Sequence, residues 1–174
     1  MAKNNPIFTG KLRNSPLGDL WIAVTDIGLV LVEWSRPEAD FNAFLAKKFK
    51  RRIQPSLEKA TPALQQLDEY LHGHRREFSI PLDWSYMRPF QRQALKITFT
   101  IPYGQTRTYG EIAQEIGNPR AARAVGRAQA TNPMPLVIPC HRVIGIDGKL
   151  HGYGGGEGLP TKEWLLKLEG AVLT

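Results

Sequence analysis

One short segment of the chain holds the residue types that nucleophilic chemistry requires, Pro139-Cys140-His141-Arg142-Val143. Cys140 is the only cysteine among the 174 residues, so it forms neither an intrachain disulfide nor a metal site with several thiolates. A thiol attacks as its thiolate, and a neighbouring base such as His141 raises the thiolate fraction near neutral pH. The alternative is an inert cysteine, because free cysteine is among the residue types most often buried.

The elements on either side of Cys140 indicate how the thiol is placed. The apolar run at residues 135–138 predicts a short buried strand that ends at the thiol. Further upstream, Thr108 and Glu111 have the spacing of a capping box, which predicts that a helix begins there. That helix ends at Gly117 and is expected to bury three apolar side chains, Ile112, Ala113 and Ile116.

A second helix is predicted directly after Gly117, with Asn118 as its cap and Pro119 in its first turn. It covers about residues 120–129 and ends near Asn132, because the residue before a proline avoids the helical region. Two short helices joined by a tight glycine-containing turn make a helix-turn-helix, and the second helix of such a motif contacts DNA.

The second helix has one positively charged side. Arg120, Arg123 and Arg127 recur at helical spacing, and nearly all of their neighbours are alanine or glycine. This pattern fits a helix that lies against DNA, and it also fits an alanine-rich helix packed on its neighbour with solvated arginines. The helix-turn-helix spacing favours DNA. A nucleophile next to a DNA-binding helix indicates chemistry on a base, which must leave the stack to be reached.

The first half of the chain has a different pattern and predicts a separate domain. Two apolar segments around a turn at residues 26–28 predict a β-hairpin, which two helices and a short strand follow. These elements lie at residues 20–24 and 29–34, 41–49 and 62–71, and 78–80. Irregular residues 81–89 mark the boundary, and another helix covers residues 90–99. We therefore expect an α+β chain with a small α/β domain at residues 1–85, containing an antiparallel hairpin or sheet, and a mainly helical domain at residues 86–174.

The composition favours a globular protein with an acidic partner. The formal net charge is +7 and the pI is near 9.7, which fits a partner such as nucleic acid or another anionic surface, although many basic proteins bind neither.

No apolar run approaches the ~18 residues that a membrane-spanning helix needs, and residues 1–6 lack the apolar stretch of a signal peptide. Together with the single cysteine, this predicts a reducing, cytoplasmic location, nucleoid-associated in a prokaryote. His72 and His74 are expected in an exposed turn.

The chain resembles the O6-alkylguanine-DNA alkyltransferases, also called methylated-DNA–protein-cysteine methyltransferases. The resemblance is strong over residues 89–170 and loose in the first half, where residues 15–18 and the hairpin match. The matching segments are residues 108–113, 117–126, 132–133, 138–145, 152–155 and 162–166. The family implies a ribonuclease H-like first domain and a suicide reaction. In that reaction the Cys140 thiolate takes the alkyl group from O6 of a flipped-out guanine and keeps it; activity on O4-alkylthymine is left open.

The resemblance also implies roles for individual residues. The catalytic set is Cys140, His141 acting on the thiol through a water, Glu169 orienting that histidine, Tyr109 beside the guanine and a phosphate, and Asn132 holding the turn before the thiol. The set that binds the substrate base is Pro139, Val143, Tyr153, Gly154 and Gly155. The DNA-binding set is Tyr109, Arg120, Ala121, Ala122, Arg123, Ala124, Gly126 and Arg127, of which Arg123 replaces the flipped base in the duplex.

The same resemblance implies a monomer that binds double-stranded DNA containing an alkylated guanine, with no membrane contact. No cofactor and no metal are expected, since this chain has no N-terminal cysteines of the kind that hold zinc in some members. Gly154 stands where some members have a serine, so a hydrogen-bond donor there must come from the backbone. The loop at residues 156–160 is longer than in some relatives, which leaves the width of the pocket open.

Glu169 also has a signal of its own in the sequence. It ends a helix predicted from about Pro160, where a carboxylate opposes the helix dipole at a cost of about 0.3–1 kcal/mol. A glutamate in such a place either serves another purpose or is simply exposed.

Two other functions are alternatives to alkyl transfer. A lesion sensor without transfer chemistry would carry tryptophan in place of Cys140, and a Cys–His hydrolase would need an oxyanion-hole motif that is not evident.

Overall fold

The computed structural model describes residues 5–34 and 36–171, which divide into two compact units, one ending at Ser85 and the other beginning at Tyr86. The first unit contains a four-stranded sheet with helices and the second is mainly helical, so the predicted α+β class is confirmed. No helix in the described part of the chain is long and apolar enough to cross a bilayer. Of the N-terminal residues 1–6 considered above, residues 1–4 lie outside the described residues.

The sheet of the first unit has the strand order β3-β2-β1-β4. Its elements are β1 (Ile7–Ser15), β2 (Gly18–Val24), β3 (Leu29–Trp34), α1 (Glu38–Phe49), β4 (Ile53–Pro55) and α2 (Leu57–Leu71). Strand β2 pairs antiparallel with β1 and with β3, which confirms the predicted hairpin, and β4 pairs parallel with β1. Neither β1 nor β4 is among the strands that the sequence predicts.

Both faces of this sheet pack against a helix. Trp21 on β2 stacks on Phe41 of α1, with ring centroids 5.0 Å apart. Gly10 on β1 pairs with Ile22, whose side chain points to the opposite face from that of Trp21. A Cβ atom at Gly10 would lie 2.4 Å from the Ala60 Cβ, so glycine permits the close approach of α2.

Two boundaries in the first unit differ from the prediction. Helix α2 begins at Leu57 rather than near Pro62, because Ser56 caps it by accepting a hydrogen bond from the Lys59 N–H at 3.3 Å. The strand predicted at residues 78–80 is wrong, since these residues form no ladder and only Leu82 bridges to β3. A proline at position 81 has no N–H to donate, which works against a regular strand there.

The second unit is built around the helix-turn-helix. Its elements are α3 (Pro89–Phe99), β5 (Arg107–Thr108), α4 (Tyr109–Glu115), α5 (Ala122–Ala130), β6 (Val143–Ile144) and α6 (Leu159–Leu168). The predicted capping box is confirmed, because the Thr108 Oγ1 accepts from the Glu111 N–H at 3.1 Å and the Thr108 N–H donates to the Glu111 carboxylate at 2.6 Å. The motif encloses a small core of Ile101, Ile112, Ala113, Ala121, Val125 and Val143.

The second helix of the motif is shorter than predicted. Residues Pro119–Ala121 form a 3₁₀ turn, and α5 begins only at Ala122. Asn118 makes no side-chain cap; its carbonyl instead accepts from the Ala121 N–H at 2.9 Å. As a consequence Arg120 lies in the turn, and only Arg123 and Arg127 share a face of α5.

The strand predicted at residues 135–138 is also wrong. These residues are buried, but they form turns, with Leu136 at a φ of +72°. Prolines at positions 133, 135 and 139 remove the N–H groups that a ladder would use. The ladder forms after the cysteine instead, where β6 pairs parallel with β5 and ties the start of α4 to the chain beyond the thiol.

Candidate active site

Cys140 opens a 3₁₀ turn, Cys140–Arg142, and only 5% of its surface is exposed. The side chain of Asn132, which follows α5, fixes the approach to this turn. Its Nδ2 donates to the Ile138 carbonyl at 2.9 Å, its Oδ1 accepts from the Met134 N–H at 3.0 Å, and it also hydrogen-bonds to the thiol. Asn132 therefore connects the end of α5 to the segment before the cysteine, the place that the family resemblance implies for it.

Two opposing influences act on the thiol. Burial raises the pKa of Cys140 above its ordinary value. The Asn132 hydrogen bond, the positive charge of Lys162 and the backbone N–H groups of Cys140 and His141 lower the same pKa. The site thus holds a desolvated thiol together with the donors and the cation that a thiolate requires.

Glu169 is the C-cap residue that directly follows α6, and its side chain is fully buried against two basic partners. Its Oε1 lies 2.8 Å from the His141 Nε2 and 2.7 Å from the Arg142 Nη2, and its Oε2 accepts from the Arg142 Nε at 2.9 Å. The Gly104 N–H donates to Oε2 at 3.1 Å. These partners explain a carboxylate at the unfavourable end of a helix, which the sequence leaves as one of two possibilities.

The protonation states follow from burial and from these partners. Burial alone would raise the pKa of Glu169, but hydrogen bonds from His141 and Arg142 and the guanidinium charge hold it well below its usual range. Burial, together with the charges of Arg142 and Lys162, lowers the pKa of His141 below its ordinary value in spite of the Glu169 carboxylate, which favours a neutral imidazole at neutral pH. Because a carboxylate only accepts, Nε2 carries the proton and Nδ1 carries the lone pair.

Lys162 is a buried lysine that the sequence prediction missed. It is 0% exposed, and its Nζ donates to the Val143 carbonyl at 2.7 Å and to the His151 carbonyl at 3.0 Å. Burial lowers its pKa to about 8, against an opposing influence of the Cys140 thiolate. A signal was present, because on α6 Lys162 shares a face with the buried Leu165 and Leu166.

Two tyrosines lie near the thiol. Burial, followed by the charge of the Cys140 thiolate, raises the Tyr153 pKa well above its ordinary value. Burial, and then the Cys140 charge, also raises the pKa of Tyr109, whose hydroxyl lies 3.5 Å from the His151 carbonyl. Both phenols therefore remain protonated at neutral pH and are able to donate.

A pocket of about 620 Å³ opens between the helix-turn-helix and the loop that follows β6. Its walls are formed by Tyr109, Ala122, Arg123, Gly126, Ala130, His151, Gly152, Tyr153 and Gly154. Tyr153 lines this pocket and is also close enough to Cys140 for the thiolate charge to raise its pKa, so it connects the pocket to Cys140. A Cβ atom at Gly154 would lie 2.8 Å from the Ala130 carbonyl, so the loop packs too closely on α5 for a side chain at that position.

Some predicted site residues lie elsewhere. Ala121, predicted to contact DNA, and Val143, predicted to line the pocket, have side chains buried in the core of the helix-turn-helix and do not line the pocket; the Val143 carbonyl accepts from Lys162. Pro139 and Gly155 are also buried. The remaining DNA-binding candidates that do not line the pocket, Arg120, Ala124 and Arg127, are exposed.

Both halves of the chain match known families. Residues 9–84 match the family "6-O-methylguanine DNA methyltransferase, ribonuclease-like domain". Residues 89–171 match the family "6-O-methylguanine DNA methyltransferase, DNA binding domain". The two matches agree with the sheet-containing first unit and the helical second unit.

Individual relatives extend this similarity over most of the chain. A methylated-DNA–protein-cysteine methyltransferase of Mycolicibacterium paratuberculosis is 55% identical over 107 residues. The aligned residues are 62% of this chain and 63% of that protein, so this chain spans less than two thirds of its length. One of Methanosarcina acetivorans is 42% identical over 161 residues, 90% of this chain and 95% of that protein. The crystal structure of Mycobacterium tuberculosis OGT in complex with DNA has a TM-score of 0.75 at 39% identity, covering 94% of this chain and 92% of that one. The chain therefore belongs to the O6-methylguanine DNA methyltransferase family, that of the methylated-DNA–protein-cysteine methyltransferases.

Proposed function

We propose that this protein repairs alkylated DNA directly, by moving the alkyl group from O6 of a guanine to the Sγ of Cys140, one group per protein molecule. The observation that carries the proposal is the set of polar and charged groups around the thiol of Cys140. Cys140 is buried beside a donor, Asn132, and a cation, Lys162, and it is followed in the chain by a neutral histidine that a buried carboxylate holds. These groups stabilise a thiolate, which is the attacking form of cysteine, whereas an inert buried cysteine needs only apolar neighbours.

The transfer is a displacement at the alkyl carbon. A bond forms between Sγ and that carbon, the bond from the carbon to O6 breaks, and its electron pair moves into the guanine ring system. The proton that the thiol loses is balanced by the proton that the departing guanine gains at N1. The product is a thioether, and because no group in the reaction removes it, each molecule acts once.

His141 is the base in this proposal. Its neutral Nδ1 accepts the thiol proton through a bridging water, as the family resemblance implies. The imidazolium that forms is stabilised by the Glu169 carboxylate at 2.8 Å. Arg142 keeps that carboxylate ionised and fixed in place, so the histidine keeps one orientation during the transfer.

The pocket is the proposed site of the flipped base. Tyr109 and Arg123 lie on its helix-turn-helix side, and Tyr153 and Gly154 lie on its loop side. In this arrangement Arg123 enters the duplex in place of the base, and the backbone of Gly154 faces the guanine where some relatives have a serine. The Tyr153 hydroxyl, whose pKa is raised by burial and by the Cys140 charge, stays protonated and is able to donate to the thiolate or to the bound base.

The proposal is tested by the stoichiometry and the place of transfer. The protein is incubated with duplex DNA that carries O6-methylguanine with a labelled methyl group, and tryptic peptides are analysed by mass spectrometry. We expect one label per molecule, on Cys140, and none with Cys140→Ser. Label on another residue or sustained turnover would refute the mechanism, and tight binding of the damaged duplex without any transfer would indicate a lesion sensor.

A further inference from the structure

The loop after β6 forms a compact turn at the mouth of the pocket. The Gly145 N–H donates to the Lys149 carbonyl at 3.1 Å, and the Gly148 N–H donates to the Gly145 carbonyl at 3.0 Å. The His151 N–H donates to the Lys149 carbonyl at 3.1 Å, which closes the loop. The position of His151 is therefore fixed by the backbone.

The side chain of His151 is oriented by a carboxylate. Its Nε2 lies 2.9 Å from the Asp147 Oδ1, which also accepts from the Lys149 N–H at 3.1 Å. The pair lies directly over Gly145, where a Cβ atom would be 2.3 Å from the imidazole Cδ2 and 2.4 Å from the Asp147 Oδ1. Because a carboxylate only accepts, Nε2 carries a proton and Nδ1 is the nitrogen left for another partner.

This imidazole is placed where DNA is expected. His151 lines the pocket together with Tyr109 and Arg123, and its side chain is 55% exposed. Its carbonyl accepts from the buried Lys162 Nζ at 3.0 Å, so the residue is anchored to the active site through its backbone. His151 thus lines the pocket, and its ring, held over Gly145 by Asp147, is open to solvent.

Asp147 would by itself weaken the binding of a polyanion at this mouth. The hydrogen bond from His151, and then the Lys149 N–H, hold the pKa of Asp147 below its usual range, so the carboxylate is ionised at neutral pH. An ionised carboxylate that is 43% exposed repels an approaching phosphate. A protonated His151 would cancel that charge and present an Nδ1–H donor to the phosphate.

We propose that His151, oriented by Asp147, is a DNA-binding residue that donates to a phosphate at the mouth of the pocket and takes up a proton when DNA binds. The inference rests on the proposed function for the presence of DNA at this pocket. The charged and titratable groups around the ring are Asp147 and Lys149 on its own loop, Tyr109 on α4, Arg123 on α5 and Lys162 on α6.

The test is the pH dependence of binding to an undamaged duplex at fixed salt, from about pH 5.5 to 8.5, the range around the ordinary titration of histidine. For the wild type we expect affinity to fall as pH rises, by up to about tenfold per pH unit where one proton is taken up. His151→Gln should lose this pH dependence and reduce the slope of log affinity against log salt by about 1. His151→Lys, a permanent cation, should keep affinity at high pH.

The chain offers a matched control in His72 of the first unit. His72 follows Asp68 by four residues, as His151 follows Asp147, and its Nδ1 lies 3.4 Å from the Asp68 Oδ1. His72→Gln should keep the wild-type pH dependence. Equal pH dependence in wild type and His151→Gln would overturn the proposal. An effect of His151→Gln that is seen only with damaged duplex, with an unchanged salt slope, would also overturn it, because it would indicate a contact with the base.

Methyl transfer to Cys140 is measured in parallel. Its absence in the wild type would refute the proposed function, whereas the duplex-binding result decides the role of His151.

Discussion

The second unit contains two histidine–carboxylate pairs of nearly equal length in opposite surroundings. His141 and Glu169 lie 2.8 Å apart with both side chains fully buried, whereas His151 and Asp147 lie 2.9 Å apart with 55% and 43% of their side chains exposed. In the proposed mechanism the buried imidazole is the base that takes the proton of the thiol. The exposed imidazole is open to an external charge. Burial, rather than the geometry of the pair, separates the two roles.

The two pairs also differ in what holds them. A buried carboxylate is stable only when its oxygens are satisfied, and Glu169 has Arg142 and the Gly104 N–H in addition to its histidine. The exposed pair needs no such shell, because water solvates both groups. It requires only the space above Gly145.

The largest difference between the pairs should appear on removal of the carboxylates. Glu169→Ala leaves Arg142 buried without its counter-ion, and we expect a loss of about 3–5 kcal/mol in the free energy of unfolding, measured in urea. Glu163→Ala is the control, since it removes an exposed carboxylate on the same helix and should cost about 0.3–0.5 kcal/mol. Asp147→Ala should resemble the control; a loss as large as that of Glu169→Ala would contradict the distinction drawn from burial.

An intermediate effect is expected at Lys162, which joins the two regions through the carbonyls of Val143 and His151. Lys162→Met removes the cation that lowers the pKa of Cys140, so that pKa should rise and less thiolate should be present at neutral pH. The single-turnover transfer rate should fall about tenfold for each unit of the rise and recover as pH increases. In the wild type the lysine itself, with a pKa of about 8, loses its charge above that pH, so the two profiles should converge there.

The control for this profile is Lys167→Met, which changes a lysine on the same helix whose side chain is 75% exposed. It should leave the transfer rate and its pH dependence as in the wild type. A Lys162→Met profile that is lowered equally at every pH would mean that the lysine only holds the loop and does not act on the thiol.

The local parts of this architecture are predictable from sequence. The Thr108–Glu111 capping box and the stop at Gly117 depend on neighbouring residues, and both are found as expected. The segment at 135–138 is not, because an apolar run is equally compatible with a strand and with buried turns, and the prolines around it decide for turns. Predicting α2 from its leucines alone missed the cap at Ser56.

The site depends on contacts between distant residues, which periodicity does not reveal. Glu169 and His141 are 28 positions apart, and only the family resemblance pairs them before the fold is known. Lys162 had a usable signal in its position on the apolar face of α6. His151 and Asp147 had none, because their loop has no period and the space above Gly145 exists only in the folded chain.

The smallest effect, and the sharpest test that the two pairs are independent, is expected at Gly145. Gly145→Ala places a Cβ atom 2.3 Å from the His151 ring, so the imidazole and Asp147 must separate, while Glu169 and His141 lie outside this contact. We expect a weaker pH dependence of duplex binding by fluorescence anisotropy, with a smaller loss of affinity than in His151→Gln. Gly110→Ala on α4 is the control, because Gly110 does not line the pocket and its Cβ would meet only the Thr108 Oγ1, at an ordinary contact distance of 3.8 Å. If Gly145→Ala lowered the urea midpoint as far as Glu169→Ala does, the exposed pair would have to support the buried one, and burial alone would not divide their roles.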